Sequence, residues 1–342
     1  MEGQTSLRLS TLYPGYFAVV MATGILSVVS DYVEWLLLSK ALFVVSIVLY
    51  VFLLVLYGMR IVGFSHAVRA DMFDPLRVFG YFTFVAATDI LATRLGLSKF
   101  VWLVIVLGVI AFIAWCGLLY FIFAMLLFEN DKPVEHSVNG SWLITTVATQ
   151  SLSIVCAIIA THLSILTEPL LFAAYVFWSF GILLYLIFIV LIVYRFFFRP
   201  VHREDLTPPY WINMGAMAIT AVAGARLAQP GTTTHFLTAV HPFVVAFTVT
   251  MWAWGTWWIP LLVIMGLWKY HALKDFRTYD PSLWSIIFPL GMYATSLDLM
   301  SSIPGLHFLI HAVKSFVVIA LGGWCLVSLA WAVSDLRKVK FF

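Results

Sequence analysis

Charge is scarce in this chain. Of its 342 residues, 10% are Asp, Glu, Lys or Arg, where a soluble domain carries about a quarter. Cysteine is scarcer still: Cys116, Cys156 and Cys325 each fall inside an apolar run, and no C-x-x-C pair occurs. That excludes a disulfide framework and a thiolate metal site, and the three read as core or lipid-facing residues. No H-E-x-x-H, G-x-G-x-x-G or P-loop pattern is present, which removes the common zinc-hydrolase, dinucleotide and nucleotide-phosphate chemistries. The chain does not open Met-Gly, so N-myristoylation is not expected. Residues 1–12 are polar, and no small-residue cleavage site follows the first apolar run, so a cleavable signal is not expected. The net charge of +3 is spread through loops and implies no nucleic-acid partner.

What the chain has in quantity is apolar surface: 63% of residues, with a mean hydropathy of +1.02. Its solvent is therefore a lipid bilayer, and the fold class is an all-α integral membrane protein. Runs of the length that spans a bilayer, about 17–25 residues, can be placed ten times: Pro14–Ser30, Leu36–Ile61, Pro75–Arg94, Phe100–Phe128, Asn139–Thr161, Glu168–Phe197, Pro209–Arg226, Phe236–Tyr270, Ser282–Ser301 and Leu306–Ser334. They alternate in character. Even-numbered runs are long and dense in Leu, Ile, Val and Phe; odd-numbered runs are shorter and carry Gly, Pro, Thr, Asn or Gln. The expected architecture is ten helices in five hairpins, an inner ring of odd helices lining a pore and an outer ring of even ones. The repeat is one of hydropathy alone. One transmembrane domain spans the chain, from about residue 14 to 334, with short tails.

The run Trp284–Asp298 is the most broken of the ten. Pro289 removes a backbone donor and kinks the helix, Gly291 weakens it two residues later, and Phe288 sits at the bend. Pro14 and Gly15 bend the first run in the same manner. Thr295, Ser296 and Asp298 bring polar atoms to a depth where lipid cannot satisfy them, so this segment must face protein or a watery cavity.

Thr23, Thr88, Thr145, Thr146, Thr149, Gln150, Asn213, Thr220 and Thr295 lie deep in odd runs. As a set they are expected to line a path for a partly dehydrated anion; taken singly, each fits an interhelical hydrogen bond. Asp89, Arg94, Arg226, Asp298 and Lys314 place charge near the outer ends of spans. Either they form a vestibule in which Arg94 and Arg226 attract anions, or they lock the bundle by pairing Asp89 or Asp298 with Arg94 or Arg226.

Fourteen of the nineteen basic residues fall on one side: Arg8, Arg60, Arg69, Arg77, Lys132, Arg195, Arg199, Arg203, Lys269, Lys274, Arg277, Arg337, Lys338 and Lys340. Lys40, Arg94, Lys99, Arg226 and Lys314 fall on the other. The asymmetry puts both termini in the cytoplasm of a multi-pass plasma-membrane protein. His307 and His311 share a face of the tenth run with Lys314, without an obvious third metal ligand; no facing histidine pair suits a haem. No cofactor and no metal are expected. A membrane redox or cofactor-binding protein is the alternative class.

The combination of P-G-Y-F-A-V-V-M-A-T-G in run one, P-P-Y-W-I-N-M-G-A in run seven and F-P-L-G-M-Y-A in run nine resembles the tellurite-resistance/dicarboxylate transporter family. That family includes tellurite-resistance proteins, malate and sulfite permeases and slow-type anion channels, and the likeness covers about residues 13–334. It implies a homotrimer with one pore per protomer, and permeation of small anions (chloride, nitrate, sulfite or a C4-dicarboxylate such as malate) rather than enzymatic chemistry. In the channel branch a phenylalanine on helix nine blocks the pore, and Phe288 is the matching residue. The long regulatory tails of the plant channels are missing here, and F-P-L-G-M-Y-A is closer to the malate-permease side of the family.

Overall fold

The computed structural model describes residues 9–98, 100–229, 234–273 and 279–339, leaving the side chains of 270–273 and 335–339 undescribed. Arg8, Lys99, Lys274, Arg277 and Lys340, used above to read orientation, lie outside the described residues, as do the side chains of Arg337 and Lys338. Ten long helices carry the fold, and no strand occurs among the described residues. They are α1 (Ala18–Tyr32), α2 (Leu36–Gly63), α3 (Phe82–Gly96), α4 (Val101–Phe128), α5 (Ile144–Ala160), α6 (Thr167–Phe198), α7 (Ile212–Leu227), α8 (His235–Leu273), α9 (Trp284–Ser301) and α10 (Ile310–Val339).

Each odd helix is entered through a tight 3-10 turn: Pro14–Phe17, Val78–Tyr81, Gly140–Leu143, Pro208–Trp211 and Pro281–Leu283. Proline opens three of these turns, where a missing N–H loses no helical bond. Asn139 and Asp280 cap two of them, accepting from the backbone N–H of Ser141 and Ser282. Gly15 leaves helical geometry (φ −86°, ψ 15°), so the first run bends at Pro14–Gly15. Below, the near end is where odd helices begin and the far end is where they finish.

The odd helices close a ring: α1 packs on α3, α3 on α5, α5 on α7, α7 on α9, and α9 back on α1. Every even helix lies against the odd helix before it. Burial follows the sequence character. Across α1, α3, α5 and α9, 78–94% of the most apolar window is buried, against 17–44% across the even helices. Even helices turn Phe52, Ile113, Leu183, Ile264 and Leu326 outward, as contact with lipid tails requires. Nine of the ten are long and apolar enough to cross a membrane. The exception is the seventh run: α7, rich in Ala and Gly and carrying Asn213 and Arg226, buries every residue but Arg226 and depends on its neighbours for an apolar setting.

Two glycines set the tightness of the ring. A Cβ on Gly215 of α7 would meet the Pro289 ring at 2.8 Å, and one on Gly291 would meet Ile25 of α1 at 2.8 Å. Pro289 is thus accommodated inside a continuous helix by a missing side chain on its neighbour.

A polar bond at mid-depth joins every even helix to the next odd one. Tyr50 meets Thr88 (2.8 Å), Trp115 donates to Thr149 (2.8 Å), Tyr185 donates to Asn213 (2.7 Å), Thr256 meets Tyr293 (2.9 Å) and Trp324 donates to Thr23 (3.0 Å). The last of these links α10 to α1 and closes the circle. All four threonines also donate their one hydroxyl hydrogen to the carbonyl four residues back, leaving the oxygen to accept the aromatic donor. Lipid offers neither partner, so each group must find one inside the protein.

At the near end a second device repeats. A base in the last turns of α2, α6 and α8 donates to a carbonyl just before the odd helix of its own hairpin: Arg60 to Ser10 (3.0 Å), Arg195 to Val138 (2.7 Å) and Lys269 to Leu206 (2.7 Å). Arg60 also reaches Tyr81 and forms an ion pair with Asp71 (2.6 Å); Arg195 reaches Tyr210 and Asp205 in the same manner (2.7 and 3.3 Å). Three of the near-end basic residues read above as orientation signals are thus also clamps.

Candidate functional site on the ring axis

Two small cavities lie along the axis, each lined by residues from all five odd helices. The near cavity is bounded by Ala18 and Met21, Thr83, Ile144 and Val147, Ile212, and Ser285 and Phe288. The far cavity is bounded by Tyr32, Ile90 and Thr93, Ser151, Val222 and Arg226, and Met292 and Thr295, among others. Spacings of three, four and seven along each helix put these residues on one stripe. Each cavity has a volume of about 10 Å³, room for about one water, so the axis is closed in this conformation. A cleft of about 30 Å³ lies elsewhere, beside Tyr210, Met265 and Lys269, and draws on the entry to α7 (residues 206–211), α8 and α9 alone.

Phe288 is 1% exposed and forms part of the near cavity wall, with apolar Met21, Ile144, Val147 and Ile212 around the same space. The polar set divides differently from the path reading. Of these, Thr295 borders one of the two axial cavities and the others border neither; its hydroxyl donates to Gly291 O at 2.9 Å. Thr23, Thr88, Thr149 and Asn213 turn to the even helices in the bonds described above. Gln150 donates to Trp178 O on α6 (3.0 Å) and Thr220 to Ala216 O (2.7 Å). Thr145 Oγ1 is buried with no hydrogen-bond partner among the described residues. Interhelical bonding, rather than path lining, accounts for the placement of Thr23, Thr88, Thr149, Gln150 and Asn213. Replacing Thr88 with valine is accordingly expected to cost about 0.6–2 kcal/mol of stability and leave transport per folded protein unchanged. A thermal melt beside a flux assay checks both.

The expected vestibule charges are separated by the fold. Asp89 lies at the midpoint of α3, not at its end, is fully buried, and accepts from Ser151 Oγ at 2.7 Å. Arg94 faces the α1–α2 hairpin: it donates to Ser27 (3.0 Å) and Ser39 (3.0 Å), pairs with Asp31 (3.2 Å) and stacks over Phe43. Its acidic partner is Asp31, rather than Asp89 or Asp298. Arg226 reaches the far cavity and donates to the Tyr32 hydroxyl at 2.5 Å. Asp298 is half-buried and acts electrostatically on the same tyrosine. Tyr32, Ser151 and Asp31 were not singled out from sequence. The axial stripe Ala18–Met21–Ile25–Val28–Tyr32 was available as a signal, with its tyrosine at the mouth.

Ring, hairpins and apolar outer face together define a multi-pass, all-helical integral membrane protein built around a closed axis. Residues 11–333 match the voltage-dependent anion channel family (SLAC1), and the chain belongs to it. It is 28% identical over 340 residues to an uncharacterized transporter of Methanocaldococcus jannaschii, covering 95% of this chain and 93% of that one. A second uncharacterized transporter of the same organism is 29% identical over 306 residues, covering 86% and 85%. An uncharacterized membrane protein of Mycobacterium tuberculosis is 39% identical over 117 residues, covering 33% of this chain and 59% of its own length. Family membership supports anion transport.

Proposed function

We propose that each protomer conducts small anions along the ring axis, with Phe288 as the constriction and the far cavity as the place where the anion is held. The substrate is drawn from chloride, nitrate, sulfite and C4-dicarboxylates such as malate. Protomers assemble as homotrimers in the plasma membrane, with the near end and both termini in the cytoplasm. One observation carries this reading: two cavities in line, each bordered by all five odd helices, one walled by Phe288 and the other reached by a guanidinium. A cation at one mouth and an apolar collar behind it attract an anion and then hold the path shut until the collar opens.

Arg226 and Arg94 separate under this reading. Arg226→Gln is expected to reduce anion flux by about tenfold at ~0.01 M salt and by less at ~0.15 M, where screening is stronger. Arg94→Gln is expected to lower the melting temperature and leave the salt dependence unchanged. Chloride flux from proteoliposomes at the two salt levels tests the assignment; equal salt dependence for both variants would remove Arg226 from the path.

A further inference from the structure

Ser151 has one hydroxyl hydrogen and two acceptors within reach. Its Oγ lies 2.7 Å from Asp89 Oδ2 and 2.8 Å from the carbonyl oxygen of Ala148. Two arrangements meet both contacts: one shared hydrogen, as where Tyr57 faces the carbonyls of Tyr13 and Pro14, or one contact donated to the serine oxygen. A backbone carbonyl cannot donate. Asp89 can, when it carries a proton on Oδ2; Ser151 then donates to Ala148. Around Asp89 the setting favours that arrangement. Among the described residues no base forms an ion pair with it, and its Oδ1 is buried without a hydrogen-bond partner, where a full charge is costly.

The neighbours supply no alternative. Tyr50 of α2 and Cys156 of α5 are the titratable groups that feel Asp89. α1 and α4 also pack on α3. The first brings Asp31, which is committed to Arg94, and Tyr32, bonded to Arg226; the second brings Cys116 and the exposed Tyr120. Arg94, five residues further along α3, is turned to the α1–α2 hairpin. Ser151 itself borders the far cavity.

We propose that Asp89 and Ser151 form a proton site that couples proton uptake to anion occupancy of the far cavity, so that the chain carries protons with its anions. The inference rests on the axial path proposed above. Ionised Asp89 holds the Ser151 hydrogen and places a negative charge beside the cavity, and both oppose an anion. Protonated Asp89 donates to Ser151 Oγ instead. The Ser151 hydrogen is then released, free to turn to Ala148 or to an anion in the cavity, and the repelling charge is gone. Proton and anion therefore each strengthen binding of the other, as linkage requires. When the anion leaves, the proton returns through the same hydroxyl to cavity water.

The full chain in proteoliposomes, with voltage clamped by potassium and valinomycin and an internal pH dye, tests this with chloride as the probe. An inward chloride gradient is expected to draw protons inward, about one per chloride for a single carboxyl. Chloride flux is expected to rise as pH falls. In Asp89→Asn the proton movement is lost and flux no longer responds to pH; in Ser151→Ala proton movement slows. Chloride flux in the natural chain without proton movement would overturn the proposal, as would an Asp89→Asn chain that moves protons at the original ratio. If that variant does not assemble, the natural chain's proton-to-chloride ratio decides. Should chloride, nitrate and malate all fail to cross with the natural chain, the axial path itself falls and this inference with it.

Discussion

Phe288→Ala is expected to raise basal anion flux per assembled protein by about tenfold or more, since each 1.4 kcal/mol taken from a barrier is a factor of ten. The ring is 1% exposed on the axis side of α9, in a wall shared with apolar Ala18, Met21, Ile144, Val147 and Ile212 and with Thr83 and Ser285. An anion crossing that collar must leave its water, and nothing apolar there replaces the lost hydration. Deleting the ring widens the collar and admits water to it. Phe288→Leu, which keeps bulk but not the ring, is expected to fall between. A purely packing role predicts something else: loss of a buried phenylalanine costs about 3–5 kcal/mol in soluble cores, and flux would drop with the yield of folded protein. Flux normalised to correctly assembled protein separates the two. A folded alanine variant with unchanged or lower flux would remove Phe288 as the constriction.

The largest stability effect is expected at Arg60. Its guanidinium is 1% exposed and binds Asp71, Ser10 O and Tyr81 at once, joining the entry to α1, the end of α2 and the entry to α3. Removing one partner of a buried ion pair leaves the other poorly compensated, at a cost of about 3–5 kcal/mol. Asp71 keeps Arg77 at 2.6 Å, which puts Arg60→Ala at the lower end of that range. A fall in melting temperature of about 5 °C or more in detergent follows, with Arg60→Lys losing less. Arg69→Ala, at an exposed near-end position, is the control and is expected to change little. Equal melting of Arg60→Ala and the natural chain would show that the clamp is ornamental.

The two rings were legible in sequence because burial demands them. A helix surrounded by protein tolerates Gly, Thr and Asn, whereas one facing lipid on most of its circumference does not, and the alternation of runs records that difference. The direction in which the polar groups point was not legible from the odd helices alone. Thr88 or Thr149 could face the axis or the outer ring with equal local sense. The deciding signal stands on the even helices: Tyr50, Trp115, Tyr185 or Trp324 in a greasy run carries a donor that needs an acceptor, and odd-helix threonines or Asn213 supply it. The axis instead follows the apolar stripe through Ile25, Ile90, Ile154, Ile219 and Met292, which looks like ordinary core when read one helix at a time. Arg94 was misplaced for a related reason. Its partner Asp31 sits just past the first run, in the last turn of α1, far from it in sequence and near it only after α1 and α3 pack.

Thiol accessibility along α3 and α9 tests the axial path most directly. With Cys116, Cys156 and Cys325 replaced and Phe288→Ala opening the collar, single cysteines are placed at Thr295, which borders the far cavity, and at Thr88, which faces α2. A small, charged, water-soluble thiol reagent is predicted to modify Thr295→Cys and abolish anion flux, with excess anion slowing the reaction, while Thr88→Cys stays unmodified and conducting. Block at position 88 with free conduction at 295 would contradict the account and move the path off the ring axis.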